Sequence, residues 1–325
     1  MKVQINSDSI TPFAGLNFIS KDFDACGISQ VIKNELVAKS DLAFYSLTDD
    51  IKSLFLTFMA GGDCAEDMNT HLKATLAAIP NVKTPNSDTV LRDLKKLATP
   101  TITHISCTNK SHELNINERL NKLMIKSLIK LKLLNTATKH EFDYDNQVIA
   151  CEKYDSKCTY KKVLGYQPGV ATIGKHIVYI ENRNGNSPAK YQQAETLEKC
   201  YLELLNNGIK IGKSRMDAAS YQKNVIEIVS KYSDTFYIRA NRCDGMETQI
   251  KEAKNWEKIR IGFKQYEIAT INYQPFNETK TYRVVVSREP QNQVNIFTED
   301  HFKYRGIITN DLVMSDLEEI GRAHV

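Results

Sequence analysis

The stretch that decides the fold is His140-Glu141-Phe142-Asp143-Tyr144-Asp145-Asn146-Gln147-Val148-Ile149. Its aromatic and β-branched residues favour a pleated strand that is buried on one side. Because strand side chains alternate between faces, Asp143 and Asp145 should share the face opposite the rings. Two carboxylates on one face repel each other, which is tolerated at a strand end open to solvent or around a shared cation. The stretch therefore predicts a strand that carries an acidic site.

A second acidic strand end follows at Asp217, after Ile209-Lys210-Ile211-Gly212-Lys213-Ser214-Arg215-Met216. Between and beyond the two aspartates, the hydrophobic periodicity predicts three antiparallel strands, a helix, a strand, a helix and a strand. This order is that of an RNase H-like mixed sheet, in which the first and fourth strands are neighbours. We therefore expect Asp145 and Asp217 to meet at adjacent strand ends. The remaining predicted elements are strands 165–173, 176–180 and 235–240 and helices 189–205 and 221–232.

The bulk composition is that of a soluble protein with two or three domains. The chain has 325 residues, of which 42% are hydrophobic and 25% charged, and its formal charge of +4 hints only weakly at an anionic partner. Seven scattered cysteines without CxxC spacing predict neither a zinc site nor a disulfide framework. No apolar run is long enough for a signal peptide or a membrane span, so we expect a cytoplasmic protein without membrane partners.

Residues 1–136 are predicted to be mainly helical, with two basic helices that could contact DNA. A short helix after Ser87 presents Arg92, Lys95 and Lys96, as a recognition helix of a helix-turn-helix unit or as an ordinary amphipathic surface helix. The strongest helical pattern, 117–134, repeats Lys122, Lys126 and Lys130 on one face. That face is either solvated or aligned along phosphates.

The overall prediction is an α+β or α/β chain in four segments. A helical DNA-binding region, 1–136, precedes the first part of the RNase H-like core, 137–242. Residues 243–311 form a β-rich insertion and a returning strand, with strands predicted at 259–263, 266–273, 280–287 and 302–309. The last segment is 312–325.

These features resemble bacterial insertion-sequence transposases of the DDE type, and more narrowly the group 1 DDE domain of the insertion-sequence family numbered thirteen-eighty. The resemblance covers essentially the whole chain, and the order and spacing of its short motifs are more specific than any one of them. The matching stretches are Ser87-Asp88-Thr89-Val90-Leu91-Arg92, Asp143-Tyr144-Asp145-Asn146, Gly165-Tyr166-Gln167-Pro168-Gly169, Asn184-Gly185-Asn186-Ser187, Arg215-Met216-Asp217 and Tyr304-Arg305-Gly306-Ile307-Ile308-Thr309-Asn310-Asp311.

The resemblance implies an enzyme that cleaves and transfers DNA strands by two-metal phosphoryl transfer. Mg²⁺ or Mn²⁺ would be held by aspartate oxygens, with Asp145 preferred to Asp143 as the first ligand and Asp217 as the second. The implied partners are double-stranded DNA, as terminal inverted repeats and target, and further copies of the chain on that DNA. The implied location is the nucleoid.

The chain departs from the family after Asp311. The family's third carboxylate is a glutamate in a Tyr-x-x-Arg-x-x-x-Glu helix, whereas Glu318 and Glu319 lack the preceding tyrosine and arginine. We therefore expect the third ligand to be missing, the natural gene to continue beyond about residue 318, and the chain as written to be nearly inactive. Two alternatives stay open: a non-catalytic fragment that binds DNA ends, and an RNase H-like nuclease.

Overall fold

The computed structural model describes residues 12–40, 42–241, 243–261, 263–277, 279–290, 302–313 and 315. Its contacts divide the chain into two compact units. Unit 1 comprises Met1–Pro100 and Asn117–Leu134, and unit 2 comprises Thr101–Ile116 and Asn135–Val325. Each unit has a separate set of elements.

Unit 1 is helical, as the sequence predicts. Gly27 adopts a left-handed conformation (φ 83°) and separates the first two helices. A Ser46–Asp49 capping box begins the third helix. The helices are α1 (Leu16–Ala25), α2 (Ile28–Glu35), α3 (Leu47–Met59), a π-helical turn (Met68–Leu72), α4 (Lys73–Ala77), α5 (Ser87–Lys95) and α6 (Glu118–Lys130).

The interior of unit 1 combines apolar packing with a buried ion cluster. Leu56, Leu76 and Val90 lie at the centre of the apolar core. Beside them the Lys39 ammonium bridges the buried carboxylates of Asp50 and Asp93, at 2.6 Å from the latter. Burial alone would raise the pKa of Asp93, but the hydrogen bonds and charges of Lys39 and Lys96 outweigh it and lower that pKa. Asp93 is therefore an ionised structural residue of α5.

Unit 2 is built on an eleven-stranded mixed sheet with the order β1-β2-β8-β7-β3-β9-β10-β14-β13-β12-β11. A small separate sheet has the order β4-β6-β5. The strands are β1 (Ile102–Ile105), β2 (Ser111–Asn115), β3 (Lys139–Asn146), β4 (Ile149–Ala150), β5 (Lys157–Cys158), β6 (Leu164–Tyr166), β7 (Gly169–Ile173), β8 (His176–Arg183), β9 (Lys210–Met216), β10 (Ser233–Ala240), β11 (Glu257–Ile261), β12 (Lys264–Tyr273), β13 (Tyr282–Pro290) and β14 (Phe302–Thr309).

The central part of this sheet has the predicted RNase H-like order. Strands β8, β7 and β3 are antiparallel neighbours, and β9 and β10 follow in parallel. The crossovers are α7 (Gln193–Asn206) and α8 (Lys223–Tyr232). Phe142 of β3 packs on Tyr201 of α7, with 4.8 Å between ring centroids. The predicted mixed α+β fold is therefore confirmed, and so is the adjacency of the first and fourth core strands.

The strand-rich segment after residue 243 extends this sheet rather than forming a separate one. It begins with a helix, α9 (Asp244–Glu252), and continues with β11 to β13. The returning strand β14 pairs with both β10 and β13, which joins the segment to the core. The apolar cluster at this junction contains Tyr237 of β10 together with Ile268, Val285 and Ile307.

The structure groups Thr101–Ile116 with unit 2, whereas the sequence pattern placed these residues in the helical region 1–136. The reason is hydrogen bonding. The segment is a β-hairpin, and its second strand pairs with β8 through Leu114 and Arg183.

The end of the chain is described only in part. Of the segment 312–325, the structure describes Leu312, Val313 and Ser315. Glu318 and Glu319, on which the expectation about the third carboxylate rests, lie outside the described residues. In the part of the chain that is described, no helix combines the length and apolar character needed to cross a bilayer.

Candidate functional site

The parallel pairing of β3 and β9 brings the two predicted aspartates to neighbouring strand ends. The register places Asp143 opposite Arg215 and Tyr144 opposite Met216. The next residues are Asp145 and Asp217. Phe142 and Tyr144 are buried on the other face of β3, as their alternation with the aspartates predicts. Asp145 and Asp217 are thus neighbours at the ends of β3 and β9.

Asp143 lies on the same face of β3 as Asp145, but its carboxylate is paired with an arginine. The Arg215 guanidinium donates from Nε and Nη2 to the two carboxylate oxygens of Asp143, at 2.6 and 2.7 Å. The hydrogen bonds to Asp143 raise the pKa of Arg215. A bidentate pair of this kind neutralises Asp143 and holds its side chain in place. Asp145 is consequently the aspartate of β3 that lies beside Asp217 without an arginine partner among the described residues.

The electrostatics of Asp217 show that the two carboxylates influence each other. The Asp217 side chain is exposed at the strand end, yet the protein around its carboxylate removes part of the hydration. This desolvation, followed by the negative charge of Asp145, raises the pKa of Asp217. Its Oδ1 accepts a 3.0 Å hydrogen bond from the Ala219 amide, which fixes the carboxylate in the turn after β9.

Both aspartates line a cleft of about 1040 Å³ in unit 2. Its lining includes amide side chains, the loop after β8 and two lysines from separate hairpin turns. The lining residues are Lys110, Asp145, Asn146, Gln147, Val148, Cys158, Thr159, Tyr160, Lys161, Gln167, Gly185, Asn186, Ser187, Pro188, Ala189, Asp217 and Ala219.

A buried ion pair holds one wall of this cleft. Arg183 and Glu181, both fully buried at the end of β8, form a bidentate pair. The same guanidinium donates to the carbonyl oxygens of Pro188 and Ala189, at 2.7 and 3.0 Å. Burial would lower the pKa of Arg183, but the hydrogen bonds and charge of Glu181 outweigh it and raise that pKa.

Neither Glu181 nor Arg183 was a predicted site residue, although the sequence contains a signal for both. Alternation along β8 from the buried Tyr179 places residues 181 and 183 on the same inward face. Two opposite charges at inward positions of a strand are stable only when paired with each other or with buried polar groups.

The two aspartates fit a hard divalent cation as part of a ligand set. Carboxylate oxygens are the ligands that Mg²⁺ and Mn²⁺ prefer. A cation between the two aspartates would offset the desolvation and the charge of Asp145, which together raise the pKa of Asp217. Among the described residues, however, no group of three histidine, cysteine, aspartate or glutamate side chains is gathered. Asp145 and Asp217 would thus supply two ligands of a set that the described residues do not complete.

The basic residues predicted to bind DNA lie in unit 1, and several have internal partners. Lys96, directly after α5, pairs with Asp93 at 2.8 Å, and Arg92 of α5 lies 3.9 Å from the same carboxylate. On α6, Lys122 and Lys126 both pair with Glu35 of α2. The Lys130 side chain passes over Gly27, and Lys95 is exposed. Phosphate binding by these six residues stays a prediction.

The backbone of β7 passes so close to Tyr144 that residue 169 has room only for glycine. A Cβ added at Gly169 would lie 2.0 Å from the Tyr144 hydroxyl oxygen and 2.8 Å from Cζ. We expect Gly169→Ala to lower the free energy of unfolding by about 1–3 kcal/mol, the usual cost of overpacking. Urea unfolding followed by circular dichroism measures this change.

Two further variants make that test specific. Tyr144→Phe removes the oxygen of the closest contact, so Gly169→Ala should cost less in that background. Gly245→Ala is the control, since its methyl group would meet nothing closer than 3.7 Å. Equal costs of Gly169→Ala in the two backgrounds would show that the hydroxyl contact is not the cause.

The comparisons with known proteins are sparse. No protein-family model matches the chain, and no curated protein matches it. One similar solved structure is a piggyBac transposase in a synaptic complex with hairpin DNA, at 8% sequence identity and a TM-score of 0.40. The match covers 95% of this chain and 65% of the piggyBac chain, so the chain spans less than two thirds of that protein. A TM-score this low does not by itself establish a common fold.

Proposed function

We propose that this chain is a metal-dependent DNA transposase of the DDE type. The observation that carries the proposal is the pairing of β3 with β9, which sets Asp145 and Asp217 side by side at the edge of a polar cleft. Strand adjacency is the feature that such chemistry requires, because both carboxylates must reach the same ions. The substrate would be double-stranded DNA, as the ends of a mobile element and its target.

In this proposal Asp145 and Asp217 hold Mg²⁺ or Mn²⁺. The bound metal would supply activation of a water or 3′-hydroxyl and stabilisation of the leaving oxygen. Other described groups shape the surroundings of these two carboxylates. Arg215 forms an ion pair with Asp143, and the Ala219 amide donates a hydrogen bond to the Asp217 carboxylate. Arg183 holds the loop after β8 by donating to the carbonyl oxygens of Pro188 and Ala189.

A second candidate is a protein that binds DNA ends without cleaving them. The absence, among the described residues, of a third acidic or histidine side chain beside the two aspartates favours it. A third candidate is an RNase H-like nuclease. It would use the same two aspartates, but this function would leave the helices of unit 1 without a role.

A gel shift combined with a cleavage assay separates these candidates. We expect the chain to bind duplex DNA in EDTA, and to cleave it slowly only after Mg²⁺ or Mn²⁺ is added. Asp145→Asn should retain the binding and lose the cleavage. Binding without cleavage at any metal concentration would favour the end-binding protein, and cleavage of RNA–DNA hybrids alone would favour the nuclease.

A further inference from the structure

We propose that Lys110 and Lys161 form a phosphate-binding pair that holds the backbone of a DNA strand in the cleft. The inference rests on the proposed function for the identity of the polyanion. Both side chains are exposed, both line the cleft with Asp145 and Asp217, and neither forms an ion pair with another described residue. Their charge is therefore available to a ligand.

Lys110 belongs to the tight turn between β1 and β2. The Ser106 amide donates to the Lys110 carbonyl oxygen at 2.8 Å, and the Lys110 amide donates to Ser106 Oγ at 3.1 Å. Asn109 in the same turn has a left-handed conformation (φ 57°). These bonds fix the backbone of residue 110 and leave its ammonium group exposed.

Lys161 belongs to the turn between β5 and β6. The Thr159 amide donates to the Val163 carbonyl oxygen at 2.8 Å, and the Lys162 amide donates to the Thr159 carbonyl oxygen at 2.9 Å. The Lys161 ammonium lies 5.8 Å from the ring centroid of Tyr160, an exposed aromatic residue that also lines the cleft. A cation held beside an exposed ring is a common arrangement in sites that bind nucleic-acid strands.

The loop Asn184-Gly185-Asn186-Ser187 ties the two turns to the core of unit 2. Asn186 donates to the Ser111 carbonyl oxygen at 2.9 Å, directly after Lys110. The Gly185 amide donates to the Gly165 carbonyl oxygen of β6 at 3.1 Å. Residue 185 must be glycine, since a Cβ there would lie 2.4 Å from the Lys157 carbonyl oxygen. The backbones of the two lysine turns are thus both tied to the loop that follows β8.

The charge balance of the cleft explains what the two lysines would do. The charged residues among its described lining are two aspartates and two lysines. Carboxylates repel an approaching phosphate backbone, so a strand can enter only where cations offset them. Amide side chains such as Asn146 and Gln167 leave the rest of the polar lining neutral. Among the described lining residues, Lys110 and Lys161 are the groups that can offset the repulsion when no metal is bound.

The test measures DNA binding in EDTA, so that it is independent of metal and cleavage. Lys110→Gln/Lys161→Gln removes both charges and retains most of each side chain. The control is Lys175→Gln/Lys210→Gln. Lys175 lies in the turn between β7 and β8 and Lys210 at the start of β9, both exposed and at the end of the sheet opposite the aspartates. Affinity is measured against salt concentration by fluorescence anisotropy with duplex DNA.

We expect the slope of log affinity against log salt to flatten by about 1.8 in the Lys110/Lys161 variant, at about 0.9 for each lost phosphate contact. The control variant should keep the wild-type slope. Three results would overturn the proposal of a phosphate-binding pair. They are an unchanged slope in the Lys110/Lys161 variant, equal slopes in the two variants, and a wild-type chain that does not bind DNA. Metal binding by Asp145 and Asp217 tests the proposed function separately, so either proposal can fail while the other stands.

Discussion

Asp217→Asn is expected to reverse the order of stability between variant and wild type when Mn²⁺ is added. In EDTA at pH 7 the variant should be at least as stable as the wild type. Desolvation and the charge of Asp145 disfavour the ionised Asp217, and a neutral amide avoids both while still accepting from Ala219. With Mn²⁺ at about a hundred times its dissociation constant, the wild type should gain about 2.7 kcal/mol that the variant lacks. Thermal unfolding under both conditions measures the reversal.

The pH dependence of this comparison has a definite sign. The pKa of Asp217 is raised in the folded protein above its ordinary value, so ionisation opposes folding above that pKa. As the pH falls through the folded pKa towards the ordinary value, the carboxylate takes up a proton and the disadvantage of the wild type disappears. In EDTA the two proteins should therefore converge in stability on acidification.

Asp234→Asn is the matched control. Asp234 is a surface carboxylate of unit 2 that pairs with Lys139 at 2.6 Å, away from the cleft. Its loss should cost at most about 1 kcal/mol and leave the Mn²⁺ effect intact. Equal stabilisation of Asp217→Asn and wild type by Mn²⁺ would exclude Asp217 as a metal ligand.

The core of unit 2 was predictable because its determinants are local. Alternation between Phe142, Tyr144 and the two aspartates fixes which face of β3 is buried, and hydrophobic periodicity orders the elements that follow. The parallel pairing of β3 and β9 then follows from the handedness and length of the crossover connections. The placement of Asp145 beside Asp217 is a consequence of that order, so it could be predicted without knowledge of any contact.

The features that escaped prediction depend on partners distant in sequence. The basic face of α6 has helical spacing, but no periodicity shows that Lys122 and Lys126 meet Glu35. The hairpin Thr101–Ile116 lies between helical segments in sequence and joins the sheet only through β8. The lysines of the cleft stand in turns, where side-chain periodicity carries no information. Long-range pairing, which sequence patterns report poorly, decides all three.

Arg183→Met is expected to be the most destabilising of the substitutions considered. Arg183 is 1% exposed and its partner Glu181 is 0% exposed. Removing the guanidinium leaves a buried carboxylate that still accepts a hydrogen bond from the Thr196 hydroxyl but has lost its counter-charge. Breaking a buried pair in this way costs about 3–5 kcal/mol, which is a large part of the stability of an ordinary domain. Urea unfolding gives the free energy directly.

A double variant separates the effect of the buried charges on stability from the effect of the Arg183 hydrogen bonds on the cleft wall. Glu181→Leu/Arg183→Met removes both charges and fills a similar volume, so it should recover most of the lost stability. It cannot restore the hydrogen bonds to the Pro188 and Ala189 carbonyl oxygens, which only the guanidinium supplies. We therefore expect a folded protein with a displaced cleft wall and weaker DNA binding in EDTA. Arg239→Met, at an exposed position of β10, should change stability by less than about 0.5 kcal/mol. If the double variant folds and binds DNA like the wild type, the buried pair stabilises the fold without shaping the cleft.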